Sequence, residues 1–199
     1  MYSTEDLKGG SVLSYLWTIQ KKSVLDIINS KGVYYPTFRY DKRDCVQAYR
    51  IVLDSFNRIN KGNYEGLVFC FAKEGESKYF ESVDEVYKYF MDNPLVTDAF
   101  NLWDDEHVIL ELKYSDSFNL IPIDFNDFIQ IMPPVYDRNA YNVICSRIKE
   151  GIYLGGYTLP SFTQIHVPFI KRENIVNIYG NFDKLNSSQT GILTTFSLE

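Results

Sequence analysis

The chain has 199 residues, of which 45% are hydrophobic and 16% aromatic, and its formal net charge is −6. This length is typical of one domain that buries its own core without disulfide or metal staples. The acidic balance argues against nucleic acid as a partner, because nucleic-acid-binding proteins need a basic surface to neutralise phosphates.

The cysteines and the hydropathy pattern indicate a reducing, aqueous compartment. Cys45, Cys70 and Cys145 are odd in number, far apart in sequence and without Cys-x-x-Cys spacing, so we expect buried reduced thiols. No stretch reaches the roughly 18 apolar residues of a membrane span, and the N-terminus has no apolar signal region. We therefore predict a cytoplasmic location, in the host cell if the source is viral, and no membrane partner.

The first half of the chain begins with a polar leader over residues 1–12. A strand is predicted over 13–20, followed by a short helix that Ser23 and Asp26 start as a capping box and Gly32 ends. A turn leads into 33–36. Apolar residues at spacings of three and four then predict a helix from 41 or 44 to Gly62, and the apolar run 66–72 predicts a buried strand.

The second half continues the mixture of strands and helices. Ser82 and Glu85 form a second capping box, and residues 107–114 alternate as a strand. Asp124 and Asp137 each precede a helical pattern, and strands are predicted over 162–170 and 174–182. We therefore predict a single α+β domain over 13–182, with a twisted, mostly antiparallel sheet and peripheral helices. Residues 183–199 are a tail or an edge strand.

Two of the predicted strands carry a pair of polar residues on one face. Gln164 and His166 are two residues apart, about 6.6 Å along a strand, as are Thr18 and Gln20. If the two strands pair, four polar side chains meet on one sheet face and form a candidate site. The alternative is a polar outer face of an antiparallel sheet, turned to solvent. Trp17, beside Thr18, is either a core anchor or a stacking platform.

Standard catalytic motifs are missing from the sequence. There is no phosphate-binding Gly-x-x-x-x-Gly-Lys loop, no Gly-x-Gly-x-x-Gly, no His-Glu-x-x-His and no Gly-x-Ser-x-Gly. His107 and His166 are the only two histidines, so we predict no metal site. Lys171 and Arg172 form either a solvated turn or a phosphate clamp beside the late strand.

Several short motifs resemble those of a prokaryotic and phage domain family of unknown function. They are the opening Leu-Trp-Thr-Ile-Gln at 16–20, the run at 108–112 leading to Asp-Phe at 124–125, and Gln164 followed by Glu-Asn-Ile-Val at 173–176. Members of that family typically open with a Trp-Thr-Ile-Gln strand. The resemblance spans about residues 13–182.

The order of polar strands also resembles the ADP-ribosyltransferase-like fold of DNA-targeting ADP-ribosyltransferase toxins and tRNA 2′-phosphotransferases. The resemblance implies NAD as cofactor, a nucleotide partner and a phage or mobile-element origin. It implies that Thr18 and Gln20 hold the nucleotide and that Tyr34 or Tyr35 stacks on its nicotinamide or adenine ring. It also implies that a catalytic pair, Gln164 and His166, faces the ribose.

The chain departs from active transferases at the late strand, which in them carries a catalytic Glu. Gln164 and His166 occupy that region, so we expect weak or absent catalysis, since one lost electrostatic contact costs about 10² to 10³ in rate. Glu111 or Glu173 could supply the acid instead, although Glu173 falls in a predicted turn. The competing hypothesis is a non-enzymatic interaction module, whose aromatic surface binds and blocks or recruits a partner protein.

Overall fold

The computed structural model describes residues 14–38, 46–73, 79–93, 106–115, 118–131, 138–150 and 162–180. These residues form a single α+β domain with a mostly antiparallel sheet, as predicted. The predicted leader at 1–12, the cap at Asp137 and the tail at 183–199 lie outside the described residues. None of the helices in the described ranges is long and apolar enough to cross a membrane.

The described ranges contain eight strands and five α-helices. The strands are β1 (Ser14–Lys21), β2 (Val33–Tyr34), β3 (Val68–Ala72), β4 (His107–Tyr114), β5 (Pro122–Asp124), β6 (Thr163–Val167), β7 (Ile170–Lys171) and β8 (Ile175–Tyr179). The helices are α1 (Lys22–Lys31), α2 (Val46–Asn60), α3 (Val83–Asp92), α4 (Phe125–Gln130) and α5 (Arg138–Glu150). A 3₁₀ turn, Arg172–Asn174, joins β7 to β8.

Six strands form the main sheet in the order β5-β6-β3-β1-β4-β8, and every neighbouring pair is antiparallel. The other two, β2 and β7, form a small antiparallel sheet of their own. The longest pairing joins β1 to β4 over eight residues, from Ser14 opposite Tyr114 to Lys21 opposite His107. β1 is therefore a central strand, and β3 separates it from β6.

Both faces of the main sheet are covered. One face, which we call the α1 face, packs on α1 and the small sheet through Leu16, Leu110, Val24 and Ile28. The opposite face, the aromatic face, is covered by the other four helices. Its core residues include Trp17, Phe71, Phe90 and Phe125, and a neighbouring cluster joins α2 to α5 through Val52, Phe56, Phe128 and Ile144. The protein is thus a three-layer structure, and even β4 is buried on both faces.

The helix ends show where local sequence decided the structure. Ser82 caps α3 by accepting a hydrogen bond from the Glu85 amide, and Asp124 caps α4 by accepting from the amides of Asn126 and Asp127, as predicted. Gly32 ends α1 in the left-handed region at φ 77°. The capping box predicted at Ser23 is wrong, because α1 begins one residue earlier, directly after β1.

Candidate functional site

The structure places the predicted polar pairs on opposite faces of the sheet. Thr18 is opposite Leu110 on the α1 face, whereas Gln164 is opposite Phe71 on the aromatic face. The predicted convergence of the two pairs is therefore wrong, because β3 lies between their strands and the pleat directs the pairs to opposite sides. Tyr34 packs against the core of the α1 face, so it too is separated from Gln164 and His166.

Thr18 and Gln20 are held by internal hydrogen bonds. The Thr18 hydroxyl is buried, donates to the Phe69 carbonyl at 2.6 Å and accepts from Gln20 Nε2 at 2.8 Å. β1 and β3 pair only at two positions, up to Trp17 and Phe71, and the Thr18 hydroxyl satisfies the Phe69 carbonyl just beyond them. The Thr18 side chain thus replaces the missing backbone hydrogen bond where β1 and β3 diverge.

Gln164 and His166 form a buried pair, and the expectation of a solvent-facing polar strand is wrong. Gln164 is 0% and His166 1% exposed, and their Nε2 atoms are 2.8 Å apart. With the amide oriented so that Gln164 donates, His166 accepts at Nε2 and carries its proton on Nδ1. Gln164 Oε1 and His166 Nδ1 are buried without a hydrogen-bond partner.

The surroundings of His166 keep its ring neutral. The imidazole packs edge-on against Phe69, with ring centroids 5.3 Å apart, and near Phe128 at 6.1 Å. Burial in this apolar setting lowers the pKa of His166 to about 3. A neutral, enclosed imidazole is a structural group of the aromatic core at physiological pH.

The tyrosines proposed for stacking differ in exposure. Tyr34 is half-buried within the small sheet, opposite Ile170. Tyr35 is 58% exposed, and its ring meets the Phe169 ring edge-on at a centroid distance of 5.6 Å. Of the six predicted site residues, Tyr35 is thus the one that offers a free aromatic surface.

A charged cluster on the aromatic face is the chemically distinctive site of the described residues. Glu111 lies on β4 between Trp17 of β1 and Asn177 of β8, so the three side chains share one row across the sheet. Glu111 accepts from Asn177 Nδ2 at 2.7 Å and from the Tyr179 hydroxyl at 3.0 Å, and it forms an ion pair with Lys73. We call these five residues the Glu111 cluster.

The electrostatics of the Glu111 cluster keep its acid ionised. Burial raises the pKa of Glu111, but hydrogen bonds from Asn177, Lys73 and Tyr179 outweigh burial and the net pKa is lowered. Burial, together with the carboxylate itself, raises the pKa of Tyr179 to about 12, so the phenol stays protonated and donates. The cluster therefore presents a fixed carboxylate beside two aromatic rings, Trp17 and Tyr179, whose centroids are 5.8 Å apart.

The sequence signalled only part of this cluster. Glu111 interrupts the apolar run of β4 and is one of the two acids that the sequence offers in place of a catalytic Glu on the late strand. The other, Glu173, has a side chain 76% exposed beside Lys171 in the turn before β8. Lys73, Asn177 and Tyr179 were missed, since they lie 38 to 68 residues from Glu111 and carry no local motif.

Within the described ranges no group of three or more His, Cys, Asp or Glu side chains could hold a metal ion. No protein-family model, curated protein or solved structure matches the chain.

Proposed function

We propose that the protein recognises a nucleotide, NAD, and that its site is the Glu111 cluster rather than the Gln164–His166 pair. The observation that carries the proposal is the Glu111 carboxylate on β4, which accepts hydrogen bonds from Asn177 and Tyr179, pairs with Lys73 and lies beside Trp17 in the sheet. Perturbed ionisable groups with defined partners mark candidate functional sites. The resemblance to ADP-ribosyltransferase-like proteins supports the choice of NAD.

The chemistry of NAD suits this environment. Its nicotinamide ring is a flat cation, and the ribosyl carbon develops positive charge when the bond to nicotinamide breaks with its electron pair leaving on the ring. A preorganised carboxylate stabilises both charges. The half-buried Tyr179 ring beside it is the aromatic surface that the nicotinamide would meet, since Trp17 belongs to the core. We expect binding with weak transfer, because the Lys73 ammonium neutralises much of the Glu111 charge.

The experiment that tests this proposal is calorimetric titration of NAD into the native protein and two acid variants. Glu111→Gln keeps the shape of the side chain and removes its charge, so we expect affinity to fall about tenfold. Glu173→Gln is the matched control, because the Glu173 side chain is 76% exposed, and we expect no change. Thermal unfolding of each variant verifies that it is folded.

A third variant separates the two candidate sites. Gln20→Ala alters the α1 face, on the far side of the sheet from Glu111, and we expect NAD affinity to be retained. Loss of binding in Gln20→Ala with retention in Glu111→Gln would instead place the nucleotide on the α1 face, near Gln20. If millimolar NAD gave no heat of binding and no change in the melting temperature, nucleotide recognition would be contradicted. It would leave the interaction-module hypothesis, for which Tyr35, 58% exposed, is an accessible aromatic side chain.

A further inference from the structure

The two edges of the main sheet differ in how well they are protected from pairing with another strand. β5 forms one edge, has three residues, begins with Pro122 and runs directly into α4. A short edge strand with a proline offers few groups for pairing, because proline has no amide proton. β8 forms the other edge with five residues, Ile-Val-Asn-Ile-Tyr, and contains neither proline nor a charged side chain. β8 therefore has the composition of a strand that pairs on both sides.

The side of β8 away from β4, which we call the free edge, is open within the described part of the chain. Successive residues of a strand direct their backbone groups to alternate sides, and β4 pairs with one side of β8. Val176 is 45% exposed, and Ile175 and Ile178 are only partly buried against the core of the α1 face. A bulge at Val176 interrupts the pairing locally and leaves Asn177–Tyr179 regular. The free edge thus has backbone groups and apolar side chains that a further strand would cover.

The chain that follows β8 contains a segment suited to this edge. Residues 192–198 read Ile-Leu-Thr-Thr-Phe-Ser-Leu, which is uncharged, free of glycine and proline, and rich in β-branched and aromatic residues. In an extended conformation Ile192, Thr194, Phe196 and Leu198 share one side. Residues 180–191 are mostly polar and are long enough to reverse the direction of the chain. The entropic cost of closing such a loop rises only slowly with its length.

We propose that residues 192–198, which lie outside the described residues, pair antiparallel with the free edge of β8 as a further strand of the main sheet. The tether to β8 favours this occupant over a second copy of the chain, because a short flexible connection gives a millimolar effective concentration. The row with Ile192 and Phe196 faces the α1 side and covers Ile175 and Ile178. The pairing closes the sheet to strands of other chains, and it does not depend on nucleotide recognition.

Amide hydrogen exchange of the full chain tests this pairing. In the native protein we expect slow exchange of the β8 amides that point away from β4. Thr194→Pro with Thr195→Pro removes two successive amides, one of which must face β8, so these β8 amides should exchange at least about tenfold faster. Ser187→Pro with Ser188→Pro is the matched control, because both residues lie in the polar connection, and it should leave their exchange unchanged. Protected β1 amides verify that each variant is folded.

A measurement on the native protein keeps the inference testable if the first double variant does not fold. Antiparallel pairing brings Hα protons of facing strands close together, so we expect Hα–Hα nuclear Overhauser effects between β8 and residues 192–198. Their absence would overturn the inference, as would protection of the outward β8 amides that persists in folded Thr194→Pro, Thr195→Pro protein. Protection that rises with protein concentration would assign the free edge to a second copy and would also overturn it.

Discussion

At the residue scale, the Gln164–His166 pair shows how burial changes the chemistry of a side chain. Each residue satisfies one polar atom with the other and leaves one buried atom without a partner. Such an atom costs free energy relative to water, so the pair is a destabilising feature inside a core of aromatic rings. Protonating the imidazole there would add an unpaired charge, which burial disfavours still more.

This burial predicts how stability depends on pH. The folded pKa of His166 is about 3, below the unfolded value of 6.5, so the unfolded chain binds more protons between these limits. The free energy of unfolding should therefore fall as the solution is acidified from pH 7, with about 2 kcal/mol lost to His166 by pH 5. Urea denaturation at several pH values measures this slope.

A double variant tests whether His166 is responsible. Gln164→Leu with His166→Leu removes both buried polar groups together, so no partner is left unpaired, and the loss between pH 7 and pH 5 should largely disappear. Stability at pH 7 should be retained or increased. An equally steep slope in the double variant would assign the pH dependence to other groups.

At the scale of single elements, α1 shows that the two ends of one helix are determined differently. Its C-terminal end is set by Gly32, whose amide donates to the Ile28 carbonyl at 2.8 Å in a conformation that side chains with a Cβ avoid. Its N-terminal end has no side-chain cap, because β1 runs directly into the helix at Lys22. Thus Gly32 correctly predicts the C-terminal end of α1, whereas Ser23 does not mark its N-terminal end.

Substitutions at the two ends of α1 should have unequal effects. Gly32→Ala should destabilise the protein by about 1 kcal/mol. A Cβ at Gly32 would meet nothing within 4 Å, so this cost comes from the positive φ alone. Ser23→Ala should be neutral, since Ser23 lies inside the first turn and is exposed. Chemical denaturation measures the free energy of unfolding of the two variants. An equal loss of stability in Ser23→Ala would indicate that Ser23 does cap α1.

At the scale of the whole molecule, stability rests on strands that are covered on both faces. Val68 and Val167 are opposite each other across β3 and β6, and they are 3% and 0% exposed. Val68→Asp or Val167→Asp should bury an unpaired charge and cost several kcal/mol, enough to unfold a marginal domain. Circular dichroism and gel filtration would detect the loss of the fold.

Val176→Asp is the matched control for these core variants. Val176 lies on β8 at the end of the sheet and is 45% exposed, so the same substitution should cost less than about 1 kcal/mol. Folded, cooperatively melting Val68→Asp and Val167→Asp proteins would contradict the three-layer core. An equal loss of stability in all three variants would mean that β8 is buried as fully as the inner strands.

The sequence by itself determined the features that depend on near neighbours. β4 has the predicted bounds, His107–Tyr114, and α3 and α4 are capped at their N-terminal ends by Ser82 and Asp124, as predicted. These features depend on strand periodicity and on side chains that bond to amides within three residues. The α+β class follows from the same local signals, because they specify which segments are helices and which are strands.

Only the tertiary structure decided which polar residues meet. The order β5-β6-β3-β1-β4-β8 inserts β3 between the strands of Thr18 and Gln164, and alternation along each strand does not show which strands become neighbours. Helices cover the aromatic face of the sheet, so His166 is buried there. The alternation of polar and apolar residues along β6 is equally compatible with a solvent-exposed face. The same long-range pairing brought Lys73, Asn177 and Tyr179 to Glu111. Contacts across such separations depend on strand order and register, which short-range periodicity leaves undetermined.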